Sequence, residues 1–158
     1  MSQQQTLIKT VLGTSNFGYH PMATLQGNPQ DYLDTFKRYG FKDLDTARIY
    51  GTSEDVLGQL KVTEQGFVID TKFNSFTKPG LHNPESLKES IKTSLSALGV
   101  NKVHILYLHA PDRETPFEDT LRGVNEIYKQ GAFEKVKYQF LKFLLTHVCL
   151  VWTIQLYC

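Results

Sequence analysis

Three observations predict that residues 1–137 form an α/β unit of repeated strand–helix pairs. Apolar runs too short for helices alternate with segments of helical period, the alternation recurs about every 30 residues, and Gly or cap-forming side chains punctuate the joins. Such an order implies parallel strands joined by right-handed helical crossovers. A doubly wound sheet and part of a closed β/α barrel both satisfy the pattern, and periodicity does not choose between them.

Each element has its own reason. Leu7 to Leu12 is an apolar run ending at Gly13-Thr14, which predicts a strand. Gln30 to Tyr39 places Tyr32, Leu33 and Phe36 on one side of a helix that Gly40 stops. Phe41 to Asp45 predicts a short strand, and Ser53 to Leu60 a short helix carrying Val56, Leu57 and Leu60. Phe67 to Lys72 is a strand again. Asn83 as N-cap, Pro84 at the first helical position, a stripe of Leu87, Ile91, Leu95 and Leu98, and Gly99 just past the end define the next helix. Val103 to His109 predicts a fourth strand. Thr115-Pro116-Phe117-Glu118 has the form of a capping box, opening a helix with Leu121, Val124 and Ile127 toward the core and Gly131 as its stop.

Composition bounds the function classes. The chain has 158 residues, 41% hydrophobic and 21% charged, with a formal net charge of +1, which fits a globular domain and argues against a disordered or multi-span membrane chain. Near-neutral charge offers no field for nucleic acid or anionic lipid, so neither nucleic acid nor membrane is an expected partner. Cys149 and Cys158 are too few for a disulfide framework. Met1-Ser2-Gln3-Gln4-Gln5 lacks a basic segment followed by an apolar stretch, so the expected compartment is the cytoplasm. All 16 Asp and Glu lie at or before Glu134, whereas residues 138–158 hold 15 apolar residues in 21 and no acid. The chain therefore divides into a charge-balanced body, 1–137, and an apolar tail, 138–158.

Three consecutive strands end in ionisable residues: Asp45, Lys72 and His109. Carboxyl ends of strands in parallel α/β folds are where ligands bind and chemistry occurs. Tyr50, five residues after Asp45, is close enough to turn back over that rim. A phenol of ordinary pKa near 10 is a poor proton donor at neutral pH unless a neighbour such as an ammonium favours its anion. A lysine compensated by Asp45, with His109 orienting a carbonyl, makes Tyr50 an acid for carbonyl reduction that needs a hydride from elsewhere. Taken singly, each charged strand end has a plain reading as the point where the chain surfaces. His104 and Asp70 lie inside strands and read as satisfied core groups, with Asp70 on the same strand face as Lys72, either as its partner or in a deeper layer.

These residues resemble the aldo-keto reductases, a family of NADPH-dependent (β/α)8 barrels. The match rests on Gly13-Thr14, on Leu44-Asp45-Thr46-Ala47-Arg48-Ile49-Tyr50-Gly51 followed by Ser53-Glu54, on Thr71-Lys72, and on Leu106-Tyr107-Leu108-His109-Ala110-Pro111-Asp112. It covers about residues 7 to 136 and looks closest to the aflatoxin aldehyde reductase-like and aryl-alcohol dehydrogenase-like members. The resemblance implies a catalytic tetrad of Asp45, Tyr50, Lys72 and His109, with Tyr50 as general acid and His109 positioning a small-molecule aldehyde or ketone. It implies NADPH as cofactor, with Gly13, Thr14 and Asp45 toward it. Phe17 and Tyr19, in the first loop, are candidates for lining the substrate pocket.

The resemblance also implies a longer molecule, since such barrels take roughly 250 residues. In the family, the fifth strand runs into a Ser-Asn pair that holds the nicotinamide, and later strands grip the rest of the cofactor. Here Phe133-Glu134-Lys135-Val136 starts that strand, after which no family motif follows. The expectation is a partial (β/α)8 barrel of the first four to five units, lacking most of the cofactor site and impaired in activity. The tail is then a poor membrane anchor, a cap for the open half-barrel, or foreign translated sequence. A half-barrel exposes strand edges, so the alternative function is a non-catalytic module that self-associates, aggregates or pairs with a full-length paralogue.

Overall fold

Five parallel strands set the architecture: β1 (Val11–Gly13), β2 (Asp43–Asp45), β3 (Val68–Phe73), β4 (Val103–Leu108) and β5 (Phe133–Lys142). Between them run α1 (Pro29–Arg38), α2 (Ser53–Gln59), α3 (Pro84–Leu98) and α4 (Phe117–Lys129). The computed structural model describes residues 9–18, 27–74, 77, 79–142 and 150–156, with the backbone alone for 139–142 and 150–156. The sheet order is β1-β2-β3-β4-β5-β6, and each of the first five strands is parallel to its neighbour. This is the partial β/α barrel the sequence led us to expect.

α3 forms where its signals lie. Asn83 accepts a hydrogen bond from the Ser86 N–H, Pro84 opens the helix, and Gly99 closes it in the left-handed region at φ 66°, a conformation only glycine adopts without strain. α1 starts one residue earlier than Gln30, because Asn28 caps it and Pro29 takes the first turn. α2 carries Gly58, where a Cβ would collide with the Ala97 carbonyl of α3. That glycine lets the two helices approach closely.

Two expectations at α4 are corrected. The capping box does not form: Pro116 is the N-cap, with no side-chain cap bond, because the Thr115 hydroxyl instead donates to Asp112 at 2.6 Å. Leu121 is 39% exposed rather than in the core. The buried stripe of α4 is Thr120, Gly123, Val124 and Ile127, at the i, i+3, i+4, i+7 spacing of one helical face, and Leu121 sits a further 100° round the helix from Thr120.

The core lies between sheet and helices. Leu44, Ile69, Phe73, Leu106, Leu108 and Val136 from the strands meet Leu33, Leu57, Leu87, Ile91 and Ile127 from the helices, and burying each large aliphatic side chain contributes roughly 1.5–3 kcal/mol. The other sheet face has no helix against it among the described residues. In the tail, β5 continues without a break from Lys137 to Lys142, and β6 (Leu150–Leu156) lies antiparallel along it, Val136 opposite Leu156 and Lys142 opposite Leu150. Among the described residues no helix is long and apolar enough to cross a membrane.

Candidate active site

Register brings the strand ends together. Gly13 lies opposite Asp45, Asp45 opposite Asp70, and Lys72 opposite Tyr107, so Asp45 and Lys72 share the helix-free face. The Lys72 ammonium donates to Asp45 Oδ2 at 2.5 Å and to the Thr46 carbonyl at 2.9 Å. Its side chain is 5% exposed, so the charge is desolvated and held by one carboxylate and one carbonyl. The same nitrogen lies 4.9 Å from the centre of the Tyr50 ring and 5.9 Å from that of Tyr107. His109, one residue past β4, meets Tyr50 edge to face, 5.9 Å between ring centres at 85°.

The four residues proposed from sequence for catalysis therefore converge on one rim. Burial, reinforced by the Lys72 charge, pushes His109 down to about 4, so its imidazole is neutral at physiological pH and offers one N–H donor and one acceptor. Burial pushes Tyr107 up to about 12, aided by Asp70 and Asp45. Tyr107 is thus a neutral phenol beside the lysine.

Asp70 and His104 form a separate pair between β3 and β4. His104 Nδ1 lies 2.9 Å from Asp70 Oδ1, which also accepts the Ile105 N–H at 3.1 Å. Burial raises the Asp70 carboxyl against the opposing pull of His104. Lys72 takes Asp45 as its carboxylate, not Asp70.

Other sequence candidates take different places. Among the described residues, no atom beyond Gly13's chain neighbours lies within 4 Å of where its Cβ would stand. Thr14 is fully buried; its hydroxyl donates to the Asp45 carbonyl at 3.0 Å and lies 3.1 Å from Ser53 Oγ. Its side chain fastens the end of β1 to β2 and α2 instead of reaching outward. Phe17 is 6% exposed, in the core and tilted against Tyr32. Tyr19 lies outside the described residues.

Sequence reasoning missed the supports beneath the rim. Ser53 Oγ contacts the hydroxyls of Thr14 and Thr46 and donates to the Thr14 carbonyl at 2.7 Å. Glu54, fully buried, accepts from Thr71 Oγ1 at 2.6 Å and from Arg48 at 2.9 Å, while Arg48 also donates to the Gly51 carbonyl and Asp55. The turn bearing Tyr50 is thereby tied to the residue preceding Lys72. The available signal was a threonine at or beside each strand end, Thr14, Thr46 and Thr71, with Ser53-Glu54 at a helix start to receive them.

Comparison with known proteins shows what this chain is similar to. The chain is 37% identical over 135 residues to Oxidoreductase sirO of Leptosphaeria maculans, covering 78% of this chain and 40% of that protein. It is 45% identical over 108 residues to an aldo-keto reductase of Pseudocercospora fijiensis, 65% of this chain and 36% of the relative. It is 35% identical over 130 residues to Aflatoxin B1 aldehyde reductase member 2 of Mus musculus, 78% and 34%. The chain thus spans 34–40% of the length of these three relatives. A thermostable aldo-keto reductase crystallised with the inhibitor epalrestat shares the fold at TM-score 0.66 and 24% identity, over 81% of this chain and 48% of that one. With residues 9–138 also matching the Aldo/keto reductase family model, the chain belongs to the aldo/keto reductase family.

Proposed function

We propose that residues 9–138 form the proton-transfer centre of an NADPH-dependent reductase of small aldehydes and ketones. The observation that carries this reading is the convergence of Lys72, Asp45, Tyr50 and His109 on one rim. The space at Gly13 beside Asp45 would receive the reacting end of a nicotinamide, since among the described residues a Cβ at Gly13 would meet no atom within 4 Å beyond its chain neighbours. Gly13 and Asp45 would face it, and Thr14 would hold them in place. NADPH, when bound, supplies the hydride that reduces the carbonyl carbon.

This chain's residues manage the oxygen. Neutral His109 donates a hydrogen bond that orients the carbonyl oxygen toward Tyr50. Tyr50 gives its phenolic proton to that oxygen as negative charge develops there, and the product is an alcohol. Lys72 stabilises the charge left on Tyr50, and its preorganised field is strong because it is buried and already compensated by Asp45. The cytoplasm is the proposed compartment.

Purified chain titrated with NADPH should quench the cofactor's fluorescence and oxidise it in the presence of 4-nitrobenzaldehyde. Tyr50→Phe should remove nearly all turnover while cofactor binding persists. Undiminished turnover in that variant would refute the assigned acid; absence of both quenching and turnover would show this chain inactive alone.

A second reading is a non-catalytic partner for a copy of itself or for a longer relative. An apolar groove beside the edge strand β1, lined by Leu12, Tyr32, Phe36, Tyr39 and Phe41, favours it. Light scattering at micromolar concentration decides this: a well-behaved monomer contradicts self-association.

A further inference from the structure

We propose that Asp112 is a positioning residue for His109: its carboxylate locks the loop after β4 to the loop entering α3 and thereby fixes the imidazole against Tyr50. Both carboxylate oxygens are fully used. Oδ1 accepts the Gly80 N–H at 3.0 Å and the Glu114 N–H at 3.1 Å. Oδ2 accepts the His82 N–H at 2.9 Å and the Thr115 hydroxyl at 2.6 Å. Four donors converge on one anion, two from each loop.

The anchor is firm on both sides. His82 is 1% exposed and packs edge-on against Phe73, 5.4 Å between ring centres, and Phe73 directly follows Lys72. On the other side only Ala110 and Pro111 separate Asp112 from His109, and the proline ring fixes its own φ. The link is therefore short and stiff. Through it, the strand end bearing Lys72 is coupled to the one bearing His109. Although burial opposes it, bonding from His82, Thr115, Glu114 and Gly80 holds the Asp112 carboxyl well below the ordinary carboxylate range, so the clamp is anionic at neutral pH. Burial, with Asp112 facing it, raises the Tyr138 phenol from the β5 side. The groups that face His109 itself are Lys72 and Tyr50.

The inference rests on the reading that His109 meets the carbonyl, but its test does not depend on turnover. Histidine carrying a carbon-13 label at Cε1 reports each imidazole's titration by NMR, and His109→Gln identifies the His109 signal. In the unaltered chain that signal should titrate near pH 4. In Asp112→Asn the midpoint should rise by about one pH unit, because a released ring gains water and moves away from Lys72. Losing a negative charge without movement would lower the midpoint, so a rise reports displacement. An unmoved or lowered midpoint in folded Asp112→Asn overturns the proposal. Should that variant fail to fold, Thr115→Val removes one hydroxyl and leaves the carboxylate; a smaller rise is expected, and no rise overturns the proposal. A chain without turnover that still shows the rise leaves the clamp standing and removes only the catalytic reading.

Discussion

The two faces of the parallel sheet are cut from the same strands and obey opposite chemistry. Toward the helices stand Leu44, Ile69, Phe73, Leu106 and Leu108; on the other face stand Asp43, Asp45, Asp70, Lys72 and Tyr107, one residue out of step. The first face derives its stability from area removed from water, the second from ions that neutralise one another in pairs, Lys9 with Asp43 and Lys72 with Asp45, while Asp70 bonds His104. Stability and chemistry are thus separated by parity along a strand.

Breaking the apolar face should have the largest effect. Leu44→Ala, at a fully buried core position, is expected to cost about 2–5 kcal/mol in urea unfolding. A loss under about 1 kcal/mol would mean the helices are not held by this face.

Glu54→Ala strikes a fully buried carboxylate on the helix side. It leaves Arg48, whose side chain is 26% exposed, with only Asp55 and the Gly51 carbonyl, and leaves Thr71 without its acceptor, so a cost of about 1–3 kcal/mol is expected. Its turnover should also fall, since the turn bearing Tyr50 loses its tie to β3. Unchanged melting would place that turn under other restraints.

Acid comes next. His109 and His82 are both lowered, chiefly by burial, so the unfolded chain binds more protons than the folded one once pH drops below 6.5. Stability should therefore decline as pH falls from 6.5 toward about 4. The raised Asp70 carboxyl opposes this. His109→Gln should flatten the slope of urea midpoints between pH 7 and 5; an identical slope would show that His109 contributes nothing to it.

The smallest change in stability should come from a residue of the proposed catalytic centre. Lys72→Met removes a desolvated ammonium but leaves Asp45, whose side chain is 29% exposed, in contact with water, so the cost is expected to stay within about 1 kcal/mol. Turnover, where the chain shows it, should fall as far as in Tyr50→Phe. Circular dichroism melts beside NADPH oxidation would separate the two effects, and a coupled loss of both would erase the distinction between the faces.

Much of this was legible beforehand because it is local. Asn83, Pro84 and Gly99 specify α3 within their own segment, and ionisable strand ends announce the rim. What escaped depends on partners distant in sequence. Thr115 has the sequence of a cap, yet Asp112 outcompetes the helix for its hydroxyl. The burial of Glu54 follows from Thr71, 17 residues away. The antiparallel pairing of β6 with β5 carried no periodic signal distinct from an apolar tail.

The stagger of the ladder has a further consequence. Gly13, Asp45, Asp70 and Ile105 stand at one rung, Lys72 and Tyr107 two residues higher, a climb of roughly 6.6 Å at the usual strand rise. That height is about the reach of a lysine stem, which folds back down to Asp45. His109 starts two residues higher again and must lean over Tyr50 from above. The spacing of Asp45 and Lys72 is therefore set by strand register, while Tyr50 and His109 are placed by the turns that carry them. A slip of one residue between β2 and β3 would bring Thr71 or Phe73 to the lysine's height and turn the ammonium into the oil of the opposite face.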